Sequence, residues 1–230
     1  MARKNGTTNV DRMNRTIGSI VAETPEAAAV FRRHGIDFCC GGGRMLGEAV
    51  AESGTDAATL GAELDAAAAR AAVSSEAIDF RALSAQELVD HIEARHHAYL
   101  EEALPEISER LNAVLRAHGR SHPELFQVHG VYGALRTDLE QHLAKEETLL
   151  FPAVAQGRPD AAARVLAQVI RDEHTAAGEA LRTLRRLTVD FAVPDDACPT
   201  YRRLLKDLET LESDLFQHIH LENNLLLLDL

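Results

Sequence analysis

The chain has 230 residues, 46% of them apolar and 4% aromatic, with no tryptophan and a formal net charge of −12. That length suits one large domain or a small domain beside a medium one, and the acidic balance excludes nucleic acid as a main partner, because no basic face is present to neutralise phosphates. No apolar run approaches the roughly 20 residues that span a bilayer, and the N-terminus lacks the apolar core of a signal peptide, so no membrane association and a cytoplasmic location are expected.

Residues 1–15 are polar and are expected to form a disordered tail. A small helical domain is expected over 16–73. In it, Thr24-Pro25-Glu26 starts a helix with a cap candidate followed by proline, and Gly35 ends it after His34. The following turn, Ile36 to Gly43, carries the adjacent thiols Cys39 and Cys40 and three glycines that free its backbone. Met45–Glu52 and Asp56–Ala72 read as two more helices, with Leu60 and Leu64 on one side of the second. A disulfide between neighbours closes a strained ring, and Cys198 is remote in a Pro-flanked loop, so no disulfide framework is expected.

Residues 74–83 read as a linker and 84–230 as a four-helix bundle. Ser84-Ala-Gln-Glu87 is a capping box opening the first long helix, whose apolar seam runs His97, Leu100, Leu104, Ile107, Leu111 and Val114 and whose Pro105 predicts a kink. The second helix starts at Pro123, with the seam Val128, Tyr132, Leu135, Leu139, His142, Glu146, Leu149 and Ala153. The third starts at Pro159-Asp160, with Ala163, Ala167, Ile170, His174, Ala177, Leu181 and Leu184. The fourth starts near Thr200, with Leu204, Leu208, Leu211, Leu215, His218, Glu222 and Leu225. These steps of three and four mark one buried face per helix, joined up-down-up-down, and no strand pattern competes. The fold class is therefore all-α: a small N-terminal helical domain and a four-helix bundle.

Each seam carries one histidine at its middle, His97, His142, His174 and His218, and two add a carboxylate one turn on, Glu146 and Glu222. A lone seam histidine is more often a hydrogen-bonded core residue than a ligand, and a lone H-x3-E is mostly a surface pair. Four helices repeating the pattern in one register are not covered by either explanation, because buried carboxylates need a partner or a metal. Four imidazoles and two carboxylates suit two non-haem iron ions joined by the carboxylates and an oxo or hydroxo bridge, with zinc or manganese as other occupants. Glu93, Glu173 and His96 are candidates for supporting the ligands, and His91, His118, His122, His129 and His220 read as ordinary.

The chain resembles the repair-of-iron-centres di-iron proteins, a bacterial family linked to iron–sulfur cluster repair after nitric oxide and oxidative damage. The resemblance rests on Phe31-Arg-Arg-His-Gly-Ile-Asp-Phe-Cys-Cys-Gly-Gly42 in front, and behind it on Leu104-Pro-Glu106, His142-Leu-Ala-Lys-Glu-Glu-Thr-Leu-Leu-Phe-Pro152, Glu173-His174 and His218-Ile-His-Leu-Glu-Asn-Asn224. It implies a hemerythrin-like bundle with iron ligands at His97, His142, Glu146, His174, His218 and Glu222. The chain departs from the family at Leu225 to Leu230, where Leu-Phe-Pro is usual. Damaged iron–sulfur proteins are the implied partners, and NO or O₂ the implied small ligands; a homodimer is admitted without being specified. The other class of function is an NO- or O₂-binding sensor, scavenger or carrier. Cys39 and Cys40 separate the two, since a repair protein has a use for a thiol pair and a carrier has none.

Overall fold

The computed structural model describes residues 9–72, 78–156, 159–228 and 230, and every regular element among them is helical. The one β-type contact is an isolated bridge between Thr16 and Met45. The chain divides into two compact units, Met1–Ser84 with Ile219–Asp229, and Ala85–His218 with Leu230. Among the described residues no helix is long and apolar enough to cross a membrane.

In the first unit the helices are α1 (Asn9–Met13), α2 (Ile17–Glu23), α3 (Ala27–Arg33), α4 (Leu46–Ser53) and α5 (Ala57–Ala71). Two of these correct the expectation from sequence. Residues 1–8 lie outside the described residues, but Asn9–Met13, expected in the tail, is a helical turn held by Arg12, which donates to Gly61 O at 3.1 Å and pairs with Asp65 at 2.5 Å. Helix α2 was not anticipated; Thr16 caps it by accepting the Ser19 N–H, and Ile17, Ile20 and Val21 bury its apolar side. Asp56 caps α5 at 2.7 Å from the Thr59 N–H, and Leu60 and Leu64 are buried as expected. Gly35, at φ +66°, ends the α3 segment in the left-handed conformation that glycine adopts at least cost. Of the expected linker, 74–77 lie outside the described residues and Phe80–Ala82 form a 3₁₀ turn.

The second unit is built on four long helical runs. The first joins α6 (Ala85–Ile92) to α7 (Ala98–His118) through a wide turn at Glu93–His97, and it continues through Pro105. The second joins α8 (Glu124–Lys145) to α9 (Phe151–Ala155) through another at Glu146–Leu150. The third is α10 (Ala161–Leu187), capped by Asp160, and the fourth is α11 (Pro199–Leu221), which runs on into a third wide turn at Glu222–Leu226. Every expected seam residue is buried except Leu149, Ala153 and Leu225. Arg110 reaches from α7 to Asp207 of α11 at 2.8 Å, and Arg185 of α10 grips the buried Glu212 of α11 through two nitrogens, fixing α11 between its neighbours.

The wide turns change which residues face inward. In each, an N–H bonds five residues back: Ala98 to Glu93, Phe151 to Glu146 and Leu227 to Glu222. The extra residue rotates everything after it by about 100°. The expected seam residue Leu149 is therefore 58% exposed while Leu150 is buried, Val154 replaces the half-buried Ala153, and Leu226 replaces Leu225. The segment after His218, expected as the end of the bundle, belongs to the first unit.

Candidate metal centre

The ligand-type residues sit at the wide turns or on the seams beside them. His97 closes the first wide turn, Glu146 opens the second one turn after His142, His174 lies in the middle of α10, and His218 lies near the end of α11. The four imidazoles are between 1% and 4% exposed and Glu146 is fully buried. His97 Nε2 lies 3.2 Å from His218 Nε2, and His142 Nε2 lies 3.2 Å from His174 Nε2. Two nitrogens about 2.1 Å from one ion at near a right angle would be about 3 Å apart, so each pair is spaced as ligands of a single metal.

Glu146 lies between the pairs. Its Oε2 is 3.5 Å from His97 Nε2 and 4.0 Å from His218 Nε2, while its Oε1 is 3.3 Å from His142 Nε2 and 4.0 Å from His174 Nε2. Neither oxygen has a hydrogen-bond partner. An ionised carboxylate in that position is costly unless a cation compensates it. Glu222, one turn beyond His218 on the same uninterrupted helix, is also buried. The ligand atoms of His97, Glu146 and His218 lie within 4.8 Å of one another, as do those of His142, Glu146 and His174. His97, His142, Glu146, His174 and His218 are thus brought together, and the donor set of imidazoles and carboxylates fits first-row transition metals.

The rings are oriented from behind. His97 Nδ1 lies 2.8 Å from Glu147 Oε1, and His142 Nδ1 lies 2.9 Å from Glu173 Oε2. A carboxylate on Nδ1 holds the proton there and leaves the Nε2 lone pair for a metal. Burial acts to raise the Glu173 pKa, but hydrogen bonds from Lys145 and His142 outweigh it and hold the carboxyl below its usual range. Glu147 has no signal in the sequence beyond its place beside Glu146. Glu173, expected to support its neighbour His174, instead supports His142 from across the bundle. Glu93 stays half-buried outside the clusters. His96 is buried, 3.0 Å from Asp214, and stacks on His218 with ring centroids 5.5 Å apart. Truncating Glu147 or Glu173 to Ala should weaken metal binding by about 10–100-fold each without loss of helix content, measured by competition with a chromophoric chelator.

The thiol turn lies in the first unit. Asp37 Oδ1 accepts the N–H groups of Cys39 and Cys40 at 3.1 and 3.0 Å, and the Cys39 thiol at 3.3 Å. The two sulfurs are 3.8 Å apart and are not joined in a disulfide. Cys39 is buried and Cys40 half-buried. The hydrogen bond with Cys40, burial and the Asp37 charge all push the Cys39 thiol pKa up, so Cys40 is the more available of the two. Asn224 from the C-terminal segment donates to Cys39 O at 2.9 Å, and its Oδ1 lies 2.1 Å from where a side chain at Gly42 would begin. A side chain at Gly42 would displace the Asn224 amide. His220, read from sequence as ordinary, is fully buried beside the same turn, 3.3 Å from Phe38 O, and burial lowers its pKa to about 4.

A helical bundle that gathers imidazoles and carboxylates into two adjoining groups belongs to the class of bundle-core metal proteins. Residues 88–228 match the hemerythrin HHE cation-binding domain, and residues 13–68 match a domain of unknown function, DUF542. Among curated relatives, the chain is 33% identical to the iron–sulfur cluster repair protein ScdA of Staphylococcus haemolyticus over 91% of this chain and 95% of that protein. It is 33% identical to the iron–sulfur cluster repair protein YtfE of Escherichia coli O157:H7 over 91% of this chain and 93% of that protein. To YtfE of Yersinia pseudotuberculosis it is 34% identical, over 94% and 96%. The chain belongs to the family of these iron–sulfur cluster repair proteins, which join a DUF542 domain to a hemerythrin-type cation-binding domain.

Proposed function

We propose that this protein restores iron–sulfur clusters damaged by nitrosative or oxidative stress, and that it holds a di-iron centre on His97, His142, Glu146, His174, His218 and Glu222. The observation that supports this most directly is Glu146, with one buried oxygen toward each imidazole pair and no hydrogen bond to either oxygen. When bound, the two irons would supply paired redox chemistry and, released as cargo, the metal for a client cluster. Glu146 and Glu222 would hold the metal with the imidazoles; Glu147 and Glu173 keep the two imidazoles they touch turned inward. Donation of iron calls for a site that can also let metal go, and a centre with nitrogen and carboxylate ligands and no thiolate accords with that. Cys39 and Cys40, with Asp37, have ligand atoms within 4.8 Å of one another, and thiolates are the natural ligands of iron–sulfur iron. We assign them the contact with the damaged cluster.

The test is iron content and Mössbauer spectroscopy on the purified chain, followed by reactivation of a damaged iron–sulfur enzyme. About two irons per chain are expected. The double variant Cys39→Ser, Cys40→Ser should keep the iron and lose most of the reactivation. A chain that cannot be loaded with metal would sink the centre. Undiminished repair by the double variant would give the thiols a purely structural part. Reversible NO or O₂ binding with no reactivation at all would favour a sensor or scavenger.

A further inference from the structure

A second group of metal-ligating side chains lies on the bundle unit, about 30 Å along α7 from His97 at a rise of roughly 1.5 Å per residue. His118 ends α7, and the His122 N–H donates to His118 O at 2.8 Å, so this H-x3-H pair is wound on a single turn. The two rings are tilted 58° to one another with centroids 6.0 Å apart. Asp196 arrives from the loop before α11 and places Oδ1 and Oδ2 at 3.0 and 3.2 Å from His122 Nε2. The ligand atoms of His118, His122 and Asp196 all lie within 4.8 Å of one another. On the far side of His122, Glu124 Oε1 is 2.9 Å from Nδ1. Beside the group, the Tyr201 backbone and His118 hold the Cys198 thiol pKa below its usual value. The Tyr201 ring packs on both imidazoles, at 5.3 and 5.5 Å, and closes one side of the group.

An ion pair explains only part of this. A protonated His122 would account for the carboxylates on its two nitrogens, but not for the second imidazole gathered at the same place. A carboxylate behind a histidine that faces a second ligand is the arrangement in which metal-bound imidazoles are usually held. Two imidazoles with a carboxylate suit borderline divalent ions and do not suit Mg²⁺ or Ca²⁺, which take oxygen ligands. We propose that His118, His122 and Asp196 form a second metal site, separate from the bundle core, for one divalent transition-metal ion of the zinc type. Glu124 positions His122. A metal there ties the loop before α11 to the turn between α7 and α8.

The experiment uses the tag-free full chain, with its core metal as purified, and Co²⁺ as the probe. Wild type should retain one Co²⁺ more per chain than the double variant His122→Ala, Asp196→Asn. The difference does not depend on what the core holds. Glu124→Gln, a conservative change, should weaken the extra Co²⁺ by about 10–100-fold. Equal Co²⁺ content in wild type and the double variant, both retaining wild-type helical circular dichroism, would overturn the site. If the double variant does not fold, Glu124→Gln decides: an unchanged Co²⁺ affinity overturns the proposal.

Discussion

Glu146→Ala is expected to strip the chain of nearly all its metal, with an affinity loss greater than the roughly 100-fold upper bound for residues that only support a ligand. The reason is its position. Its two oxygens address different imidazole pairs, so truncation removes a ligand from both groups at once. Glu222→Asp keeps a carboxylate, one methylene shorter, and should lose less. Glu147→Ala should fall between wild type and Glu146→Ala, because His97 keeps its Nε2 near His218 but loses the group that holds its proton outward. The measurement is metal per chain after dialysis, with circular dichroism to confirm that α8 survives. Wild-type metal content in Glu146→Ala would show that the buried carboxylate is not a ligand.

The bundle and the cluster of four histidines with Glu146 were legible because one physical rule governs both. Apolar residues at steps of three and four define the inward face, and a histidine on that face at mid-helix in all four runs stands out against it. The rule failed where the helix itself departs from 3.6 residues per turn. Leu149, Ala153 and Leu225 follow the arithmetic of an ordinary helix, but the wide turns at Glu146–Leu150 and Glu222–Leu226 insert a residue and send Leu150, Val154 and Leu226 inward instead. Nothing in the composition of Glu146-Glu147-Thr-Leu-Leu150 announces such a turn. Both failures begin at a candidate ligand, which fits the tendency of wide turns to occur at functional sites. The role of Glu147 was hidden for a related reason: of two adjacent glutamates, only the three-dimensional arrangement decides which enters the core and which reaches His97 from behind. In the first unit the missed elements were held by distant partners. Arg12 is anchored on Gly61 and Asp65, about fifty residues away, so a short polar segment that reads as a tail is fixed in place. The Asn224 contact with the thiol turn has the same character, since a glycine triplet shows that close approach is allowed but not what approaches.

Metal removal should lower the melting temperature by about 10 °C or more, and Glu146→Gln should then change sign in its effect. A ligand present at about a thousand times its dissociation constant stabilises the folded state by about 4 kcal/mol, and for a chain of this size each kcal/mol is worth roughly 2–4 °C. Chelation withdraws that term and leaves a fully buried carboxylate whose oxygens accept no hydrogen bond. In the chelated protein, the amide of Glu146→Gln is uncharged and offers N–H groups to the surrounding ring nitrogens, so the variant should melt above chelated wild type by about 5 °C, for a gain of about 1–3 kcal/mol. In the metal-loaded protein the same amide is a poor ligand, and the variant should melt below wild type. A carboxylate retained for packing or for an internal ion pair has no cause to reverse sign on chelation. Calorimetry of both proteins with and without chelator is decisive, and equal destabilisation by Glu146→Gln in the two states would remove the metal from the account of this core.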